Sequence, residues 1–243
     1  AGVRPLSVTD HVLYRPQGAF NRRSIYMSGS ERDVLNSHLF IGTDTKWNNL
    51  IGGAGSNALP WTFSCWINAA SSSNNAMIFS FSGDKYLYSR HQTSTTFDLD
   101  FAIAGTTTGQ VLVNENLLYG NWYHIVATYD GKDALGDISA KRQRLYINGS
   151  EQSYEKGVVS GPSAISGYGC YIGNGPLGEQ AQFQNNFVGN LDEIQIYTSS
   201  VDSNQATMLF NHACPADPSI IAKDNPEFQS VADSLVAWYR AGD

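Results

Sequence analysis

Residues 187–211, FVGNLDEIQIYTSSVDSNQATMLFN, constrain this chain more than any other stretch. Read with strict period two, the first half places Asp192, Ile194 and Ile196 on one face and Glu193, Gln195 and Tyr197 on the other, as a strand does. The second half reads as a short helix. Asp202 can cap its start, and Gln205 stands three residues on, which completes a capping box. Val201 before the cap and Ala206 at the fourth helical position suit a small hydrophobic staple. Val201, Gln205, Met208 and Leu209 keep helical spacing, so one side is mostly apolar.

The rest of the chain is strand-like in successive blocks. Residues 24–27 open the series. In WTFSCWIN (61–68), Phe63, Cys65 and Ile67 alternate with Thr62, Ser64 and Trp66. Residues 77–81 and 86–88 read as strands on either side of a Gly83-Asp84 turn. The clearest alternation is at 97–103, with Phe97, Leu99, Phe101 and Ile103 on one face and Asp98 and Asp100 on the other. GNWYHIVATYD (120–130) and RLYING (144–149) come next, the latter ending in an Asn-Gly pair that favours a type I′ hairpin. Residues 42–59, rich in Gly, Asn and Ser, read as a long loop, and 215–230, with Pro215, Pro218 and Pro226, as a linker. The pattern predicts one all-β, two-sheet antiparallel sandwich over 24–211 with one short C-terminal helix. An arm (1–23) precedes it, a linker (212–230) comes after it, and a last strand or the start of a further domain (231–243) ends the chain. The expected core is Phe63, Ile67, Phe97, Leu99, Phe101, Ile125, Leu145, Ile147, Ile172 and Ile194.

Composition narrows the function classes. The 23 glycines and 15% charged residues suit strands joined by turns. A net charge of −7 without a basic run argues against nucleic-acid binding. No apolar stretch is long enough to span a bilayer as a helix. The three cysteines, Cys65, Cys170 and Cys214, lack metal-binding spacing. Cys65 shares a face with Phe63 and Ile67 and reads as buried. Cys170 and Cys214 are either idle thiols or a bridge. With no signal-like segment at residue 1, this usage points to synthesis in a reducing compartment.

Five blocks in order, WTFSCWIN, NWYHIVATYDG, RLYINGS, CYIGN and FVGNLDEIQIY, resemble the laminin-G-like, concanavalin A-type jelly rolls across about 24–211. The loop DGKDALGDISAKRQ is longer than the family's usual connection. The resemblance implies a jelly roll, and a choice among lectin, glycanase, adhesion module and viral structural protein. The family's glucanases carry an E-x-D-x-E strand, which is absent here; Asp98-Leu99-Asp100 comes nearest and makes Asp98 and Asp100 candidate ligand-face acids. Some relatives hold calcium through loop acids at the rim, which points to Asp130, Asp133 and Asp137 as its ligands here; no cofactor is otherwise required. An acid at the place of Asp192 suggests a structural carboxylate tying down the last strand.

The ends suggest assembly. Arg4, Arg15, Arg22 and Arg23 make a basic arm on an acidic protein, suited to lie across a neighbouring subunit. Trp238 and Tyr239 are poor residues to leave in water and are expected to dock on something. Asn148-Gly149-Ser150 is also a glycosylation sequon, although the turn already accounts for it. The leading expectation is a non-enzymatic exterior module of a virion or similar particle, partnered by other subunits and by glycans. The alternative is a secreted carbohydrate-binding module, and a glycanase comes third.

Overall fold

A computed structural model of the protein describes residues 25–28, 39–42, 44–52, 58–70, 76–81, 85–103, 110–131, 143–153, 170–173, 186–212 and 217–239. Its strands are β1 (Ile25–Ser28), β2 (Leu39–Gly42), β3 (Trp61–Ala69), β4 (Ala76–Phe81), β5 (Lys85–His91), β6 (Thr96–Ala102) and β7 (Gln110–Leu118), then β8 (Trp122–Tyr129), β9 (Gln143–Ile147), β10 (Ser150–Glu151), β11 (Cys170–Ile172), β12 (Val188–Tyr197) and β13 (Leu235–Tyr239). Sheet A runs β1-β12-β3-β8-β9-β10, and sheet B runs β2-β11-β4-β5-β6-β7. Every strand pairing is antiparallel, so the expected two-sheet sandwich is the fold.

The period-two residues meet between the sheets. All ten expected core side chains belong to one buried apolar cluster. Trp61 of sheet A stands edge-on to Phe79, Phe81 and Phe101 of sheet B, at centroid distances of 5.7, 5.9 and 5.4 Å. Such T-shaped pairs add to the stabilisation already supplied by burial. The Asn148-Gly149 turn has φ of 51° and 78°, as a type I′ hairpin requires.

Three readings of the sequence need correction. First, residues 44–51, expected in a loop, form helix α1 (Asp44–Ile51), because Trp47 and Ile51, one turn apart, both insert into the core. Second, Asp192 does not share a face with Ile194 and Ile196. Pairing with β3 passes from Asp192↔Trp66 to Gln195↔Ser64, so Glu193 and Ile194 together oppose Cys65. This is a β-bulge, with Glu193 at φ 49°. It turns Asp192 to the outer face beside Trp66 and keeps Leu191, Ile194 and Ile196 in the core.

Third, much of 212–230 is packed structure and no linker. After α2 (Ser203–Asn211) come α3 (Pro218–Asp224), a 3-10 turn (Pro226–Phe228) and α4 (Gln229–Ala232). Two of the three prolines that suggest a linker, Pro218 and Pro226, start these turns. Pro218 occupies the first helical position behind an Asp217 cap whose Oδ1 accepts the Ser219 N–H at 2.9 Å. Ile221, Ala222, Phe228 and Val231 join Val126, Tyr146, Tyr197, Val201, Ala206 and Leu209 in a second apolar cluster on the outer face of sheet A. The α2 capping box is present, with Asp202 Oδ1 accepting the Gln205 N–H and Gln205 Oε1 accepting the Asp202 N–H.

Hydroxyl groups fasten this layer to the sheet. Thr62 Oγ1 lies 2.8 Å from Thr128 Oγ1 and donates to the Ser199 carbonyl, while Thr128 Oγ1 accepts the Val201 N–H. Ser199 Oγ meets Ser234 Oγ at 2.6 Å, and the Ser234 hydroxyl donates to the Val231 carbonyl. β13 then pairs with β12 on the edge that β1 also uses, beyond the end of β1. Tyr239 packs against the core, and Trp238 Nε1 donates to Glu193 Oε2 at 2.9 Å. Phe228→Ala is expected to cost about 3–5 kcal/mol in chemical denaturation, as fully buried Phe truncations do. Loss of the α2 cap in Asp202→Ala should cost about 1 kcal/mol. A Phe228→Ala effect within the scatter of surface substitutions would mean that the helical layer is not part of the cooperative unit.

Candidate functional site

Sheet B has one face in the core and one turned away. On β5, Leu87 enters the core, so Tyr86, Tyr88 and Arg90 point outward. Register places Tyr88 opposite Asp100 and Arg90 opposite Asp98 on β6. The sequence-level face assignment of both acids therefore stands, but neither is solvated: Asp98 is 2% exposed and Asp100 1%. Asp98 is held from two sides. Arg90 Nη2 donates to its Oδ2 at 3.2 Å, and the Asn116 N–H donates to Oδ1 at 3.0 Å. Asn116 sits at φ 49°, in a stretch of β7 where pairing with β6 is irregular. Asp98 thereby fixes both the guanidinium and the bent backbone of β7.

The accessible part of this face is aromatic and cationic. The Tyr86 and Tyr88 rings lie 5.5 Å apart at 38°. Tyr86 is buried, whereas Tyr88 is half-buried and the Arg90 side chain is 29% exposed. On the far side of β4, Tyr171 of β11 stands opposite Ser80, which in turn stands opposite Tyr86. Tyr171, Ser80 and Tyr86 are themselves buried, so among the described residues of this row and the next two on β5 it is Tyr88 and Arg90 that reach solvent. Rings offer a flat apolar surface, and a guanidinium offers a fork of donors to oxygen acceptors.

This sandwich carries one further test of kinship. A family model described as the concanavalin A-like lectin/glucanases superfamily matches residues 53–206. The chain belongs to this superfamily. Among solved structures, a proposed carbohydrate-binding protein from Bacteroides ovatus is similar with a TM-score of 0.55 at 20% identity, covering 85% of this chain and 49% of that one. The chain thus spans about half of that protein's length. The native heptameric SAP-like pentraxin from Limulus polyphemus is similar with a TM-score of 0.53 at 18% identity, over 76% of this chain and 80% of the pentraxin. At these identities the likeness is one of fold. No curated protein sequence matches the chain.

The superfamily's name joins lectins to glucanases, so membership leaves binding and cleavage both open. The remaining candidate residues bear on that unevenly. Asp130 directly follows β8 and is half-buried, while Asp133 and Asp137 lie outside the described residues, as do Arg4, Arg15, Arg22, Arg23 and Cys214. Among the described residues, no group of three or more His, Cys, Asp or Glu is placed to hold a metal ion. Asp192 is 2% exposed, and its Oδ1 accepts the Glu193 N–H at 2.9 Å, inside the bulge. No helix among the described residues is long and apolar enough to cross a membrane.

One pair escaped the sequence reading because it joins neighbouring strands. Ser64 Oγ lies 3.0 Å from His124 Nε2 on the outer face of sheet A. A hydroxyl beside an imidazole is half of a nucleophilic pair, but the base also needs an orienting carboxylate and an open face. Here Trp66 and Phe210 pack against the ring at 5.3 and 6.0 Å, and Nδ1 has no hydrogen-bond partner among the described residues. Asp192 stands on the other side of Trp66, two strand spacings or roughly 10 Å away. Burial pushes the His124 imidazole down to about 3, so the folded protein keeps it neutral.

This burial makes stability depend on pH. The unfolded histidine protonates near pH 6.5, so the folded value is depressed. The stability this residue permits is fully present above about pH 6.5 and is lost as pH falls from there towards 3, by up to about 1.4 kcal/mol per unit. His124→Asn should flatten the fall of unfolding free energy between about pH 6 and pH 4 by about that slope. Parallel pH profiles for the two proteins would show that His124 is not buried neutral.

Proposed function

We propose that this chain is a non-catalytic carbohydrate-binding module whose ligand lies on the outer face of sheet B, across Tyr88 and Arg90. The observation that carries the reading is the Asp98-pinned Arg90 beside the paired Tyr86 and Tyr88 rings. A sugar ring presents a C–H face that packs on an aromatic ring, and hydroxyls that accept from a fixed guanidinium. Few, well-placed polar groups among rings are what saccharide orientation requires. The fold likeness to the Bacteroides ovatus protein supports the same class. A glycosidase needs one carboxylate free to act as acid and another as base or nucleophile. Asp98 is instead spent on Arg90 and on Asn116, which favours binding over cleavage.

The comparisons favour this reading over the exterior-particle role that composition and the chain ends first suggest. The basic arm on which that role leaned lies outside the described residues. Calorimetric titration against neutral and acidic oligosaccharides, chosen from a glycan array, tests the proposal. Tyr88→Ala should weaken the ligand found by about tenfold or more, as loss of a central aromatic anchor does. Arg90→Lys keeps the charge beside Asp98 but loses the fork, and should weaken it less. Both should melt close to wild type, because neither position is in the core. A wild-type chain that binds nothing on the array would sink the proposal.

A further inference from the structure

The opposite sheet carries a second row of recognition chemistry. Register places Asn190 of β12 opposite Asn68 of β3, and Asn68 opposite Trp122 of β8. Their chain neighbours Leu191, Ile67 and Tyr123 enter the core, so all three side chains point away from it. Directly opposed residues stand about 4.5–5.5 Å apart, which makes a strip roughly 10 Å long in the order amide, amide, indole. One row further along, Trp66 and His124 are covered by Phe210, which lies 6.0 Å from each ring. Helix α2 ends at Asn211, one residue past that cover, and Asn190, Asn68 and Trp122 are each half-buried.

The strip is rigidly built. Asn68 Nδ2 donates to the Gly120 carbonyl at 2.7 Å, and the Gly120 N–H donates to the Ala69 carbonyl at 2.8 Å. Gly189, between Val188 and Asn190, has φ 140°, and a Cβ there would stand 2.2 Å from the Asn68 carbonyl oxygen. Only glycine lets β12 approach β3 this closely beside the two amides. No member of the strip is charged, and the neighbouring positions on β12 hold the carboxylates of Asp192 and Glu193.

We infer that Asn190, Asn68 and Trp122 form a second saccharide site, for an uncharged sugar. The indole packs on the C–H face of a pyranose ring. The carboxamides, which both donate and accept, address vicinal hydroxyls. The strip itself holds no cation to pair with an anionic sugar. The inference rests on the carbohydrate-binding reading but uses none of the residues of sheet B, so the module has two binding faces.

The full chain is titrated with lactose, maltotetraose, cellotetraose and xylotetraose, and with sialyllactose as the anionic probe, while heat and tryptophan emission are both recorded. The expected result is a neutral sugar that shifts tryptophan emission and still binds in a Tyr88→Ala background. In that background Trp122→Ala and Asn68→Ala should each weaken binding about tenfold or more, and Trp122→Phe, which keeps a ring, should weaken it less. Melting curves show whether each variant is folded, and Trp122→Phe decides the matter if Trp122→Ala is not. If Tyr88→Ala removes all binding and Trp122→Phe changes nothing, the second site falls while the first stands. Trp122-dependent binding of sialyllactose alone overturns the assignment to uncharged sugars. Binding of no saccharide by the wild type overturns both readings.

Discussion

The bulge at Glu193 is the constraint on which the sandwich depends. Strand β12 is the spine of sheet A, bonded to β3 on one side and to β1 and β13 on the other. Unbroken alternation from Leu191 would send Glu193, Gln195 and Tyr197 into the core. One residue at φ 49° resets the count, so that Ile194 and Ile196 enter instead. A non-glycine residue in this region costs roughly 1–2 kcal/mol. Two contacts offset that cost. Asp192 Oδ1 takes the Glu193 N–H, and Trp238 Nε1 reaches the Glu193 carboxylate from β13. The tail strand thus braces the irregularity that lets the sheet form.

The two outer faces meet different fates. On sheet A, the chain turns back directly after β12 through the Asp202 capping box. The helices beyond that turn bury Val126, Tyr146 and Tyr197, leaving the Asn190–Asn68–Trp122 end of the sheet half-exposed. On sheet B, the outward residues of β5 and β6 neutralise one another, Arg90 against Asp98. A guanidinium held this way has lost much of its side-chain freedom before any ligand arrives, which lowers the ordering cost of binding.

The legible part of the sequence was whatever repeats with the period of a single strand. The ten core residues fell out of alternation, and the α2 cap out of its Asp202–Gln205 spacing. Composition misleads at two places. Gly, Asn and Ser around 44–51 hid the Trp47–Ile51 turn, and three prolines suggested a linker where Pro218 and Pro226 start helical turns. Alternation alone puts Asp192 on the wrong face, because a bulge leaves almost no local mark: Glu193 is neither Gly nor Asn. Cross-strand partners were hidden for another reason. Asn68, Trp122 and Asn190 are far apart in the chain, as are Ser64 and His124, and only register brings them together.

The shared edge of β12 has a topological consequence. β13 runs antiparallel to β12 and ends with Tyr239 opposite Ile194, while β1 begins with Ile25 opposite Leu191 and runs on in the same direction. The two are halves of one edge strand, interrupted by a gap that spans the bulge. A chain rearranged so that residue 239 is joined to residue 25 through a few residues would trace that edge without a break. It would also be free to start at an exposed turn such as Gln92–Thr95. By the same geometry, residues 25 and 239 stand only a few residue spacings apart along one edge of sheet A.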